Sequence, residues 1–304
     1  MPHPLSHIES DEDRIVGRIL AVLPVKDNWC VEFGAWDGKL SSNTRNLITK
    51  KAYSAVLIEA DHKRYEDLLV TYSSNKNVIS LNAFVDLEGA NILDNILKKT
   101  PLPHDFDFIS IDIDGNDYHV WESFTTYDPK IVCIEHNPTI PTEIDFVQKK
   151  DVAVSQGSSL KALTVLGKKK GYELAAVTHC NAIFIRADLY PLLKIADNRP
   201  ETLRTDTSAV TYIFSGYDGR IILRGKKKFP WHGIVMKESR MQILPWFLRK
   251  YPENYNFLQH VVFNIYLGYF FPRIFYYRHI RKSAGRSVTA RSSQKSSQNY
   301  GEKS

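Results

Sequence analysis

Acidic residues and glycines are concentrated in one short segment near the start of the chain, VEFGAWDG, at residues 31–38. The apolar residues at its start predict a buried strand, and its glycines predict a sharp turn before a helix that begins near Ser41. Glycine lets backbone N–H groups approach a bound molecule closely, because no Cβ collides with it or restricts φ. The segment therefore predicts a ligand-binding turn between a strand and a helix.

The carboxylates in this segment indicate the charge of the ligand. They would repel a dinucleotide pyrophosphate, but they would attract the methionine ammonium group of S-adenosylmethionine. The phosphate-binding patterns GxGxxG and GxxxxGK[ST] are also absent from the sequence. We therefore predict that the methionine and ribose part of this cofactor is surrounded by Glu32, Gly34, Ala35, Asp37 and Gly38.

Further cofactor contacts are predicted after the next two strands. Glu59 and Asp61 follow an apolar run about 20 residues past the glycine turn, where an acid in a doubly wound sheet takes the ribose hydroxyls. After the third strand, Phe84 could stack on the adenine ring and Asp86 could accept a hydrogen bond from its amine. The alternative, that Asp86 caps a helix beginning near Gly89, stays open.

Methyl transfer to a hydroxyl requires alignment and the removal of a proton. His136 follows strand five directly, and His119 lies one turn beyond acids that follow strand four. Histidine suits proton transfer near neutral pH, although either ring could instead be a hydrogen-bonded loop residue. The predicted catalytic residues are His136, Asp112 and His119. Asp112 is also a predicted cofactor contact, because the loop after strand four faces the sulfonium of the cofactor.

A divalent cation is a second way to activate the acceptor. Magnesium prefers oxygen ligands, and a metal that holds two hydroxyls would lower the pKa of the acceptor. The predicted metal ligands are Asp112, Asp114, Glu135 and His136. The alternative is that Asp114 and Asp117 cap the short helix that follows them.

Strand and helix patterns alternate from about residue 28 to residue 187, as a parallel sheet with crossover helices requires. The last two strand patterns, residues 173–178 and 182–186, are separated by only three residues. That link is too short for a crossover, so one of the two strands must run antiparallel. The predicted fold is α/β: a doubly wound, mostly parallel, seven-stranded, Rossmann-like sheet with a reversed strand at its C-terminal end, as in class I methyltransferases.

The sequence resembles the FkbM-type branch of S-adenosylmethionine-dependent methyltransferases over roughly residues 28–190. The resemblance lies in VEFGAWDG, IEAD, DFISIDIDGND, IVCIEHNP and CNAIFIRADL. It implies an O-methyltransferase that acts on a sugar, a glycolipid or a polyketide-type product. Two positions depart from the family pattern, because Ser110 stands where the family often has lysine and Asp114 where it often has glutamate.

Charge is unevenly distributed along the chain. Residues 1–215 carry 23 Lys and Arg against 30 Asp and Glu, so the net charge of +6 arises from the C-terminal third.

The three cysteines have no CxxC spacing, which indicates reduced thiols. The N-terminus is acidic and has no apolar signal segment, so we expect a cytoplasmic protein. The predicted organisation is a helical lead-in at 1–27, a cofactor-binding domain at 28–190, an acceptor or membrane-surface extension at 191–282 and a disordered basic tail at 283–304.

The C-terminal extension is aromatic and basic. Residues 212–214 and 221–223 predict a hairpin beside the acceptor, with a solvated surface hairpin as the alternative. The apolar segment 257–277 is too interrupted to span a membrane. It predicts either a helix packed on the domain or an interfacial helix on the anionic inner face of the membrane, because basic residues follow it.

The function predicted from the sequence is S-adenosylmethionine-dependent O-methylation of a sugar, glycolipid or other small-molecule hydroxyl, with magnesium as an optional second cofactor. Two alternatives remain. One is an RNA or other nucleic-acid methyltransferase whose basic C-terminal region contacts phosphates, with the steep salt dependence that this implies. The other is a non-catalytic membrane adapter that keeps the fold. The expected partner is a small-molecule or glycan acceptor rather than a nucleic acid.

Overall fold

The computed structural model describes residues 11–229, 231–242 and 244–276. The chain divides into two compact units, Met1–Val210 and Thr211–Ser304. The disordered tail predicted for residues 283–304 lies outside the described residues.

The first unit is built on a seven-stranded sheet in the order β3-β2-β1-β4-β5-β7-β6. Strand β7 pairs antiparallel with both of its neighbours, and every other pairing in the sheet is parallel. The predicted fold is therefore confirmed: this is the sheet of class I methyltransferases, with β7 as the reversed strand. The strands are β1 (Trp29–Phe33), β2 (Ser54–Glu59), β3 (Val78–Asn82), β4 (Phe108–Ile111), β5 (Ile131–Glu135), β6 (Tyr172–Val177) and β7 (Asn181–Arg186).

Helices cover both faces of this sheet. Side chains alternate along each strand, so that Val31 and Phe33 of β1 join the apolar cluster on one face and Cys30 joins the cluster on the other. The helices of the unit are α1 (Asp11–Val22), α2 (Arg45–Lys51), α3 (His62–Tyr72), α4 (Leu93–Leu97), α5 (Asp117–Ser123), α6 (Leu160–Lys169) and α7 (Pro200–Leu203). Helix α2 begins at Arg45 instead of near Ser41, because the loop before it is tied to the end of β1.

A buried ionic network lies at the amino edge of the sheet. Lys130, just before β5, donates from Nζ to Asp107 at 2.9 Å and also to Asp27. Asp107 is fully buried and accepts further hydrogen bonds from the Tyr53 hydroxyl at 2.9 Å and the Asn28 backbone N–H at 3.0 Å. The network joins the starts of β1, β4 and β5 at the edge opposite to their carboxyl ends.

The second unit contains the predicted hairpin, formed by β8 (Thr211–Ser215) and β9 (Ile221–Gly225), which pair antiparallel. Its helices are α8 (Glu238–Met241), α9 (Phe257–Phe270) and α10 (Pro272–Tyr276). None of the helices in the described residues is both long enough and apolar enough to cross a membrane.

Candidate functional site

A cavity of about 1200 Å³ opens at the carboxyl edge of the sheet in the first unit. Gly34 follows β1, Glu59 ends β2, Asp112 follows β4 and Glu135 ends β5, and all four line the cavity. Strands β2 and β3 follow β1 on one side of it, and the chain then crosses to place β4 on the other side of β1. Ligands of doubly wound sheets bind at this topological switch point, so the cavity lies where the fold places a ligand.

Gly34 brings the ends of β1 and β4 into contact. Its φ is +75°, and a Cβ at this position would lie 1.9 Å from the backbone oxygen of Asp112. Both the positive φ and the close approach require glycine. Glycine is therefore required here by the contact between the turn after β1 and the backbone after β4, whereas the sequence predicts it for the close approach of a bound molecule.

Glu32 is buried at the floor of the cavity, where it holds the loop before α2. Its carboxylate accepts hydrogen bonds from the hydroxyls of Ser42 at 2.7 Å and Thr44 at 2.6 Å, and from the backbone N–H of Asn43 at 2.7 Å. Burial raises the pKa of Glu32, and these hydrogen bonds act against that shift. Asn43 also donates to the Ser110 hydroxyl at 3.0 Å, which ties the same loop to β4.

Glu59 connects the turn after β1 to the start of α3. It is buried, and its two carboxylate oxygens accept from the backbone N–H groups of Trp36 and Asp61, each at 2.8 Å. Trp36 has a φ of +50° and lines the cavity, and the guanidinium of Arg64 lies 3.9 Å from the centre of its ring. Each carboxylate oxygen retains a lone pair for a ribose hydroxyl.

Asp37 also lines the cavity, with one oxygen engaged in the turn. Its Oδ1 accepts from the backbone N–H groups of Lys39 at 2.9 Å and Leu40 at 2.8 Å. Oδ2 has no hydrogen-bond partner within the described part of the chain. That oxygen is available to a cationic or hydroxyl-bearing ligand.

Three carboxylates after β4 and β5 come together at the cavity. Asp112, Asp114 and Glu135 each offer an oxygen within 4.8 Å of the others. Burial and then the neighbouring carboxylates raise the pKa of Asp112 to about 6 and that of Glu135 to about 9. Like charges in a desolvated site favour protonation unless a cation is present. The cluster is therefore suited to a cationic group.

The cluster contains three of the four predicted metal ligands, but not His136. Carboxylates at a cavity are common without a metal, and nothing else in the described residues supports magnesium.

Asp117, which the sequence predicts as an alternative helix cap, is buried and accepts from the backbone N–H groups of Ile113 and Gly115, each at 2.9 Å. It therefore shapes the loop after β4 instead of capping α5, and burial raises its pKa to about 7.

The two predicted catalytic histidines do not line the cavity. His119 is buried on α5, with its Nε2 2.8 Å from the backbone oxygen of Gln148. His136 is fully buried, and neither ring nitrogen has a hydrogen-bond partner among the residues that the structure describes. Burial and the charge of Arg204 lower the pKa of His136 to about 4, which keeps its ring neutral at pH 7.

The remaining predicted cofactor residues fall into two groups. Ala35 and the exposed ring of Phe84 line the cavity, whereas Gly38, Asp61 and Asp86 do not. Gly38 lies against α3, where its backbone oxygen accepts from the Tyr72 hydroxyl at 2.9 Å. Asp61 caps α3 by accepting from the backbone N–H of Arg64 at 2.9 Å. Asp86 lies in the β3–α4 loop, with its backbone N–H bonded to Asn91, and caps no helix.

Part of the cavity wall comes from regions that sequence reasoning did not assign to the site. Glu12 on α1 accepts hydrogen bonds from the hydroxyl of Thr178 and the side chain of Asn181. These contacts connect α1 to the link between β6 and β7. No sequence pattern relates these distant segments, so only the folded chain reveals them. The unassigned lining residues include Glu12, Trp36, Arg45, Asn46, Arg64, Cys180 and Asn181.

No protein-family model and no curated protein matches the chain. Among solved structures, an S-adenosylmethionine-dependent methyltransferase from Aquifex aeolicus is similar at 11% identity and a TM-score of 0.36, over 58% of this chain and 88% of that one. The N-terminal domain of EvdMO1 with S-adenosyl-homocysteine bound is similar at 10% identity and a TM-score of 0.38, over 58% and 81%. TrmK of M. capricolum, also with S-adenosyl-homocysteine, is similar at 11% identity and a TM-score of 0.34, over 55% and 66%. These likenesses are too remote to indicate what this chain binds.

Proposed function

We propose that this protein is an S-adenosylmethionine-dependent methyltransferase. The observation that supports this most directly is the position and charge of the cavity. It lies at the switch point between β1 and β4, and Asp37, Asp112, Asp114 and Glu135 supply carboxylates to it. A nucleoside that carries both a sulfonium and an ammonium group matches this surface, whereas a nucleotide phosphate does not.

The cofactor would lie along the carboxyl ends of β1, β2 and β3. Glu59 is positioned for the ribose hydroxyls, and Phe84, which is half exposed, offers a ring face for the adenine. Asp37 and the acidic cluster would face the two positive charges. The cavity of about 1200 Å³ exceeds the 300–1,000 Å³ typical of small-molecule sites, so a second molecule, the methyl acceptor, fits beside the cofactor.

The proposed reaction is methyl transfer to a hydroxyl of a sugar or glycolipid, which follows from the sequence resemblance to FkbM-type enzymes. Such a hydroxyl must lose a proton as it attacks the methyl group. Of the three predicted catalytic residues, Asp112 is the one at the cavity. With a pKa of about 6 in the empty cavity, its carboxylate is ionised near neutral pH and can accept a proton, so the proposal assigns proton removal to Asp112 and assigns no metal.

Glu59→Gln and Asp37→Asn are each expected to weaken cofactor binding by tenfold or more. Either change removes a charge-assisted contact that contributes about 1.5–3 kcal/mol. Calorimetric titration with S-adenosylmethionine and with S-adenosyl-homocysteine measures the effect. Asp61→Asn is the matched control, because Asp61 lies outside the cavity and should leave the affinity unchanged. Unchanged affinity in both site variants would contradict the proposed site.

Cofactor affinity is expected to rise with pH between about pH 6 and pH 9. The pKa values of Asp112, about 6, and Glu135, about 9, are raised in the empty cavity. A bound cation stabilises the ionised carboxylates, so binding lowers both pKa values and releases protons. Asp112 is already ionised above about pH 6, so the proton released in this window comes from Glu135, and the dissociation constant should fall by up to about tenfold per pH unit.

The proton release can be measured by calorimetry in two buffers that differ in their enthalpy of ionisation. Glu135→Gln removes the group with the higher pKa, so the pH dependence above about pH 7 should become flatter in this variant. The same dissociation constant at pH 6 and pH 9, with no proton released, would show that the carboxylates do not face the cofactor's charge.

A further inference from the structure

Helix α9 in the second unit has an apolar face that is open to solvent. Its 14 residues, FLQHVVFNIYLGYF, contain no Asp, Glu, Lys or Arg. A surface helix of a globular protein normally has charged residues on its outer face. The exposed side chains of α9 are instead apolar or aromatic apart from His260: they are Phe257, Leu258, Val261, Ile265 and Tyr269. Phe257, Ile265 and Tyr269 are 84%, 67% and 79% exposed.

These five side chains form one continuous stripe. At about 100° per residue they fall within an arc of about 120° along the helix. Exposed apolar patches of this kind mark interaction surfaces. The opposite face of α9 is held in place by Gln259, which is buried, takes part in a capping box with Asn256 and donates to the backbone oxygen of Leu248 at 2.7 Å. The orientation of the stripe is therefore fixed by contacts within the unit.

The rest of the second unit supplies exposed aromatic rings and positive charge. Trp231, Trp246 and Phe247 are largely exposed, and tryptophan and tyrosine favour the boundary between lipid and water. Residues 211–276 carry ten Lys and Arg against three Asp and Glu. Seven of these cations make no ion pair with any residue that the structure describes: Lys226, Lys228, Lys237, Arg240, Arg249, Lys250 and Arg273.

We propose that the second unit docks on the surface of an anionic lipid bilayer through the exposed stripe of α9. A basic surface with an apolar helical face combines the two attractions that hold interfacial helices on membranes. The first unit has the opposite charge balance, with 23 Lys and Arg against 30 Asp and Glu, so it does not share this attraction. The proposal does not depend on the proposed cofactor or reaction.

The test is co-sedimentation of the full-length protein with vesicles of phosphatidylcholine alone or of phosphatidylcholine mixed with phosphatidylglycerol. We expect binding to the mixed vesicles, weakening with salt, and a blue shift of tryptophan fluorescence. Ile265→Asp should reduce binding by about tenfold or more, because an apolar contact with lipid is lost. The matched control is Val70→Asp, which places the same charge at an exposed apolar position of α3 in the first unit and should leave binding unchanged.

Two further variants separate the two attractions. The double variant Lys226→Glu, Lys228→Glu should reduce binding to the mixed vesicles by about tenfold or more. Trp246→Ala, at an exposed ring, should weaken binding and remove part of the blue shift, and thermal unfolding of each variant verifies that it folds. The proposal is overturned if the folded protein does not bind the mixed vesicles, or if Ile265→Asp binds them as the unchanged protein does. It is also overturned if Ile265→Asp instead dissociates a dimer, or if the protein binds RNA and not lipid.

Discussion

Lys130→Met is expected to lower the free energy of unfolding by about 3–5 kcal/mol, because it leaves a buried carboxylate without its counter-charge. Asp107 is fully buried, and Lys130, at 2.9 Å, is only 4% exposed. Without the lysine, Asp107 would keep hydrogen bonds from the Tyr53 hydroxyl and the Asn28 backbone N–H. Those donors are neutral and cannot replace the charge. Urea unfolding should show a lower midpoint with an unchanged slope.

The control for this experiment is an ion pair of similar length on the surface. Lys149 lies 2.8 Å from Asp151, and the lysine side chain is 75% exposed. Surface pairs contribute little because solvent screens them, so Lys149→Met should leave the urea midpoint essentially unchanged. Cofactor affinity should stay the same in Lys130→Met, because the network lies at the edge of the sheet opposite to the cavity. Equal midpoints for the two variants would show that Lys130 is not needed to neutralise the buried acid.

The sheet is the part of the structure that the sequence predicts best. The apolar runs at residues 29–33 and 131–135 predict buried strands, and β1 and β5 cover these residues, because each run ends abruptly at a turn or an acid. The link of three residues between the last two strands shows that one of them must run antiparallel. Which of the two is reversed depends on the position of β7 in the sheet, between β5 and β6. Short helices are predicted less well. The sequence pattern predicts a helix over residues 89–99, but α4 covers only Leu93–Leu97. The buried Asp94 within it accepts from the backbone N–H groups of Thr125 and Thr126.

The candidate site is predictable where it depends on the ends of strands. Gly34, Glu59, Asp112 and Glu135 meet because parallel strands present their carboxyl ends at one edge. Which loop side chains face the cavity depends on hydrogen bonds that have no sequence signature. Asp61 lies two residues after the end of β2, close to the predicted ribose site, but its side chain caps α3.

The neighbouring residues Glu135 and His136, at the end of β5, are a second case in which the sequence does not predict which side chain faces the cavity. Glu135 lines the cavity, and His136 is fully buried. Successive side chains at the end of a strand point in opposite directions, so only one of the two can face the site. The sequence identifies the pair, and the direction of each side chain is set by the pairing of β5 with its neighbours.

Gly34→Ala is expected to damage both the stability of the fold and the cofactor site. The added Cβ would lie 1.9 Å from the backbone oxygen of Asp112, so the end of β1 or of β4 must move. A left-handed φ costs a non-glycine residue about 1–2 kcal/mol, and overpacking adds about 1–3 kcal/mol. Displacing the end of β4 also moves the Asp112 carboxylate. A shift of about 1 Å at a reacting group reduces activity by about a hundredfold, so we expect a loss of that order in methyl transfer and a marked loss of cofactor affinity.

Gly171→Ala separates the steric contact from the cost of the backbone conformation. Gly171 has a φ of +84°, similar to that of Gly34, and a Cβ there would meet nothing within 4 Å. Its substitution should therefore cost about 1–2 kcal/mol of stability and leave the affinity for S-adenosylmethionine unchanged. The difference between the two variants isolates the contact between the ends of β1 and β4. If Gly34→Ala bound the cofactor as well as Gly171→Ala does, the cofactor could not lie against the contact between the ends of β1 and β4. The cavity at the switch point would then not be its site.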